Sequence, residues 1–144
     1  MNSQTDNFMS LKIKAISKNE AFARSVVAAF CAAVNPTVEE LNDVKTAVSE
    51  AVTNSIVHGY GNNEGIIEIN ALLKDKTVHI EIIDSGLGIT DIEKAKAPFF
   101  TTKAEDERSG MGFTVMESFM DTLEVSSNLN SGVIVKMSKN FLDN

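Results

Sequence analysis

The stretch EAVTNSIVHGY, residues 50–60, decides how the rest of the chain is read. Ala51, Val52, Ile56 and Val57 give it the apolar weight of a core helix, yet Glu50, Asn54 and His58 recur at every fourth position. At about 100° per residue these three fall within an arc of roughly 80°. On the same projection Leu41, Val44, Val48, Ala51, Val52 and Ser55 form the core arc, and the polar three run along its flank. A flank borders a cleft where an opposite face would meet only water. A solvated polar edge produces the same pattern, so the surrounding sequence has to decide between the two.

Upstream, Thr37 and Glu40 form a capping box, which predicts one long helix from 37 to Gly59. Before it, residues 8–16 alternate as a half-buried strand, with Leu11, Ile13 and Ala15 on one side and Lys12 and Lys14 on the other. Ser17 or Asn19 can cap the helix predicted over 19–34, whose stripe runs through Phe22, Val26, Ala29, Phe30 and Ala33. Downstream, 65–74 and 77–85 read as an antiparallel hairpin around Asp75-Lys76. A short helix over 90–96, a long polar loop over 98–110, a helix over 111–123 and a closing hairpin complete the chain. The order β-α-α-β-β-α-α-β-β lacks strict alternation, so an α+β sandwich is expected instead of a doubly wound parallel sheet.

With 144 residues, 43% of them hydrophobic and 23% charged, the chain is expected to fold as one soluble domain over 1–144. It carries no apolar run of membrane-spanning length and no secretory signal pattern, so a cytoplasmic location and no membrane partner are expected. Cys31, the only cysteine, sits among small apolar neighbours and reads as a buried thiol. A formal charge of −7 argues against direct nucleic-acid binding, which relies on clustered cations, and suits a basic protein partner.

Two further clusters bear on the cleft. In IEIIDSGLGI, residues 80–89, an apolar strand ends in Asp84 with Gly86 and Gly88 after it. An acceptor-only carboxylate there can take hydrogen bonds from a purine amine, and glycines let a ligand approach the main chain. In ERSGMGF, residues 107–113, Gly110 and Gly112 lead into a helix, where free N–H groups and the helix dipole favour phosphate. Thr101, Thr102, Lys103 and Arg108 add hydroxyl and cationic donors nearby. Neither G-x-x-x-x-G-K-[ST] nor G-x-G-x-x-G after a strand occurs.

Taken in order, Glu-x-x-x-Asn-x-x-x-His, Asp-x-Gly-x-Gly and Gly-x-Gly-Phe resemble the ATP-binding fold of gyrase, heat-shock protein 90 and sensor histidine kinases. VSEAVTNSIVHGY, DSGLGITDIEKAKAPFFTTK and ERSGMGFTVMESFMD resemble, more narrowly, the anti-sigma F factor family of endospore-forming bacteria. That likeness implies a Bergerat-type fold, a two-layer α/β sandwich with a mixed, largely antiparallel sheet and helices on one face. It also implies a homodimeric protein-serine kinase that uses ATP and Mg²⁺, binds ATP or ADP, inhibits sigma factor F and phosphorylates an anti-anti-sigma factor.

Carried over by residue, the resemblance makes Glu50 the general base, Asn54 the Mg²⁺ ligand and Asp84 the adenine selector, with Gly86 and Gly88 shaping the purine wall. Thr101, Thr102 and Lys103 fall in the lid, and Arg108, Ser109, Gly110 and Gly112 in the phosphate-contacting turn. Glu20 and Arg24 fall in the partner-binding region, although their spacing also suits an intrahelical ion pair. His58 matches a family histidine without an assigned role. A general-stress anti-sigma kinase of the same fold and a noncatalytic nucleotide-dependent sigma-binding module are the alternatives.

Overall fold

The computed structural model describes residues 6–61, 63–86, 108–128 and 132–141, with backbone only at 108–111 and 128. Alternating apolar residues build its strands. Strand β1 (Asn7–Lys14) pairs with β2 (Ile66–Lys74), and β2 with β3 (Thr77–Asp84). Strand β5 (Gly132–Asn140) lies against β3 and carries β4 (Thr122–Asn128) outside it. The order is β1-β2-β3-β5-β4, and every pairing is antiparallel. The sheet expected to be mixed and largely antiparallel is thus antiparallel throughout its described extent.

Period-2 burial gives the sheet one dry face. Ile67, Ile69, Ala71 and Leu73 of β2, Val78, Ile80 and Ile82 of β3, and Val133, Val135 and Met137 of β5 are buried. Helices α1 (Lys18–Cys31), α2 (Val38–Asn54) and α3 (Arg108–Phe119) contribute Val27, Val44, Val48, Val52 and Met116 to the same core. These three α-helices among the described residues make the second layer, as the α+β reading expects. None of the described helices is long and apolar enough to cross a membrane.

Local chemistry sets the helix ends. Thr37 Oγ1 accepts from the Glu40 amide at 3.0 Å and Glu40 Oε1 accepts from the Thr37 amide at 2.8 Å, so the expected capping box is closed. Ser17 stands at the start of α1 without a side-chain cap bond, while Asn19 Nδ2 donates to the Lys14 carbonyl at 3.0 Å. The β2–β3 turn at Asp75 takes φ +56°, a left-handed angle that Asp tolerates better than most residues.

Three expectations are corrected. Helix α1 buries Ala23, Val27 and Cys31, and leaves Phe22 50% exposed, so its stripe is turned by one residue. Small side chains let α1 lie close on α2, which a phenylalanine would hold away. The second helix stops as α-helix at Asn54 and continues as one π turn, Ser55–Gly59, with Tyr60 N donating to Ser55 O at 3.0 Å across five residues. Helix α3 begins at Arg108, not 111, and ends at Phe119. The helix expected over 90–96 and most of the 98–110 loop lie outside the described residues. Cys31 is fully buried, and burial pushes its thiol pKa up to about 12.

The capping box predicts a measurable cost. Thr37→Ala removes one half of it and should lower unfolding stability by about 1 kcal/mol, read from the urea midpoint with the slope unchanged. An unchanged midpoint would mean that the cap contributes nothing.

Candidate functional site

Strand parity decides where Asp84 points. It follows Val78, Ile80 and Ile82 in the i, i+2 series, so its carboxylate turns inward under the helices. Asp84 is 4% exposed. Ser55 Oγ donates to its Oδ2 at 2.9 Å and the Gly86 amide donates to its Oδ1 at 3.0 Å. Burial raises its pKa above the usual carboxylate value, while bonds from Gly86, Ser55 and Val133 pull the other way. A carboxylate has about four lone-pair directions. Three bonds, from Gly86, Ser55 and Val133, still leave acceptor capacity for a ligand.

Ser55 is the first residue of the π turn and Asn54 the last of α2, so one peptide joins the Asp84 contact to the polar flank of the helix. Asn54 is 9% exposed, and neither its Nδ2 nor its Oδ1 has a hydrogen-bond partner among the described residues. A buried amide left unsatisfied costs about 1–3 kcal/mol. Such groups in native proteins commonly await a ligand, ion or water. The third cluster meets Asn54 directly: a Cβ on Gly112 would lie 2.7 Å from Asn54 Nδ2, so a larger residue there would displace the Asn54 amide. Gly112 is buried in the first turns of α3.

Glu50, one turn before Asn54, is half-buried and borders the groove between α1 and α2. Residues four apart on a helix lie ~6 Å from each other, so both can address one group. His58 falls in the π turn, whose wider winding breaks the even spacing of 50, 54 and 58, and it is half-buried. Gly86 is required by close approach, because a Cβ there would fall 1.9 Å from the Gly59 carbonyl oxygen. The structure thus gathers Asn54, Asp84, Gly86 and Gly112 about the junction of α2 and the π turn, with Glu50 one helical turn away on the wall of the α1–α2 groove. Backbone at Arg108, Ser109 and Gly110 opens α3, while Gly88, Thr101, Thr102 and Lys103 lie outside the described residues.

Two residues of the site are not singled out by sequence. Ser55 falls on the core arc, which is right for burial, but its hydroxyl is the buried link to Asp84. Tyr60 donates from its hydroxyl to the Ile66 carbonyl at 2.6 Å and accepts from the Ser85 amide at 2.8 Å. It therefore ties the start of β2 to the residue after Asp84. A tyrosine directly after a helix-ending glycine is the available signal. A concavity of about 760 Å³ lies on the outer face of the sheet among Phe8, Leu72, His79 and Ser138 and touches none of these groups.

Glu20 and Arg24 of α1 form the expected i, i+4 ion pair at 3.4 Å, and Ser49 Oγ of α2 donates to the same Glu20 carboxylate at 2.5 Å. The amide oxygen of Asn54 is a hard donor of the kind Mg²⁺ takes, and its unsatisfied state fits a bound group of that class.

Asp84 yields a stability prediction. Its folded pKa is raised, so the stability tied to its proton is present below the unfolded value of 3.8 and is lost as pH rises through the folded value. Near neutrality the buried charge is a net cost. Asp84→Asn, which can still accept from Gly86, should therefore melt at a higher temperature than the parent near pH 7, with the difference shrinking toward acid pH. An equal or lower melting temperature near pH 7 would contradict this.

Residues 15–139 match the Histidine kinase-like ATPase domain family. An anti-sigma F factor of Caldanaerobacter subterraneus subsp. tengcongensis is 58% identical over 134 residues, covering 93% of this chain and 94% of its own. One of Clostridium beijerinckii is 56% identical over 138 residues, covering 95% and 96%. The nucleotide-free catalytic domain of the histidine kinase ThkA aligns with a TM-score of 0.58 over 94% of this chain and 96% of that one. At 18% identity, that likeness speaks for the fold alone. By near-full-length identity to those relatives, with the carboxylate, amide and glycines of its three motifs gathered at one helix junction, the chain belongs to the anti-sigma F factor family of histidine kinase-like ATPase domains.

Proposed function

We propose that this chain is a Mg-ATP-dependent protein-serine kinase that inactivates an anti-anti-sigma factor, and that it also holds sigma factor F in an inhibited complex in the cytoplasm. One observation carries the reading: a buried amide, Asn54, with both polar atoms unsatisfied, one helical turn from the carboxylate of Glu50. In this reading Asn54 Oδ1 would hold Mg²⁺, which would offset the negative charge of nucleotide phosphates.

The chain's own residues divide the remaining work. Asp84 accepts from the adenine amine, with Ser55 and Gly86 fixing its orientation. Gly88 completes the purine wall. Arg108, Ser109, Gly110 and Gly112 form the phosphate-contacting turn, with N–H groups at the start of α3 facing negative charge. Thr101, Thr102 and Lys103 act as the lid. In the transfer, the serine oxygen bonds to the γ-phosphorus as the bond to the β–γ bridging oxygen breaks. ADP leaves with that electron pair, and Glu50 takes the serine proton.

Glu20 and Arg24 would contact the protein partners, and their ion pair and the Ser49 bond support this by presenting Arg24 in one orientation. A homodimer is part of the same reading. Its support is the exposure of Phe8 and Leu72, cross-strand partners on the outer sheet face at 77% and 42%.

The test is phosphoryl transfer from γ-labelled ATP, with Mg²⁺, to the anti-anti-sigma factor, followed by identification of the labelled residue. A labelled serine is expected, and Glu50→Gln should lower turnover at least ~100-fold while ADP and sigma factor F bind as in the parent. Undiminished turnover would remove Glu50 from the role of base. Sigma factor binding without transfer by the parent would favour a noncatalytic nucleotide-dependent module.

A further inference from the structure

Between α1 and α2 lies a cavity of about 370 Å³ lined by Arg24, Asn42, Lys45, Thr46, Ser49 and Glu50. Five of these come from α2 at i, i+3, i+4, i+7 and i+8, which is one continuous helix face. Unlike the α2 face that packs into the core, it is polar throughout. Its charge also departs from that of the whole chain. The protein carries 20 acidic and 13 basic residues, whereas the cavity wall holds two cations, Arg24, which is paired with Glu20, and Lys45, beside one carboxylate, Glu50.

The positions of those charges are informative. The bond from Ser49 to Glu20 ties the two helices, and Glu20 in turn engages Arg24 through Nε at 3.4 Å. Arg24 keeps 42% side-chain exposure, so its fork remains open to a further acceptor. Lys45 stands one turn before Ser49, is half-buried, and has no ion-pair partner among the described residues. A polypeptide that brings a hydroxyl to Glu50 through this cavity lies beside both cations. Opposite charge on that segment would draw it in and fix its register, whereas a basic segment would be repelled.

We infer that this cavity seats the hydroxyl-bearing segment of the phosphoacceptor, and that Lys45 is a specificity residue that reads an acidic side chain beside the acceptor serine. Asn42 and Thr46 supply the amide and hydroxyl that hydrogen-bond the main chain of that segment. The inference rests on the kinase reading for the identity of the occupant, and it adds the class of substrate: a serine flanked by Asp or Glu. Arg24 and Lys45 act together, Arg24 held by Glu20 at the mouth of the cavity and Lys45 along its α2 wall.

The test uses the full chain, the parent anti-anti-sigma factor, and acceptor variants in which each acidic residue near the phosphorylated serine is replaced in turn by Lys. Lys45→Glu should raise the KM for the parent acceptor about tenfold or more with little change in kcat, while ADP affinity, which reports folding, stays at the parent value. One Lys-substituted acceptor should recover most of that loss with the Lys45→Glu protein and be a poor substrate of the unchanged protein. A KM within twofold of the parent, or a loss that no acceptor variant restores, would overturn the assignment. Direct binding of the same acceptors with ADP present separates the two readings. If no phosphate is transferred but the charge swap still governs affinity, the kinase reading fails and the docking site stands. Transfer that is indifferent to Lys45 overturns the docking site and leaves the kinase reading in place, and an acceptor that neither binds nor is phosphorylated overturns both.

Discussion

The buried hydrogen bond from Ser55 to Asp84 is the contact on which the arrangement of the site depends. It joins the first residue of the π turn to the last residue of β3, and so holds the helical layer and the sheet in register where the motifs converge. Asn54, the neighbouring residue, meets Gly112 of α3 from the other side. Two consecutive residues thus connect three segments that are far apart in sequence. Bonds inside the low-dielectric interior are stronger than in water, and the cost of leaving such groups unmatched is correspondingly greater. The junction is therefore well specified on the Asp84 side and unsatisfied on the Asn54 side.

That asymmetry is what a binding site built into a core should look like. The core around it is apolar and dry, with Val48, Ala51, Val52, Ile67 and Ile82 almost wholly buried. Within it, one carboxylate is buried at the expense of its ionised form and one amide carries no partner among the described residues. Both are destabilising to the folded chain alone, and both become favourable when a group with the matching donors and charge is present. The π turn belongs to the same pattern, since extra residues in helical turns are found frequently at functional sites.

Much of this is legible in the sequence. The Thr37–Glu40 box, the strand alternations and the Asp75 turn are local, and local chemistry forms them as expected. Asp84 is legible too, because strand parity turns it inward with Ile80 and Ile82. The departures come from packing. Weighting α1 by its largest apolar side chains points to Phe22, whereas close helix contact selects Ala23, Val27 and Cys31. The π turn leaves no mark on a 3.6-residue period, and the roles of Ser55 and Tyr60 each depend on hydrogen bonds to residues brought close only by folding. The start of α3 reads late because Gly110 looks like a helix breaker, although the helix already runs through it from Arg108.

In the proposed function the unsatisfied Asn54 side chain receives a metal-nucleotide ligand. The most direct measurement follows the side-chain amide resonance of Asn54, assigned with Asn54→Asp, while ADP is added with and without Mg²⁺. The resonance is expected to shift only when Mg²⁺ and nucleotide are present together. A resonance that stays fixed while nucleotide binding is complete would contradict it.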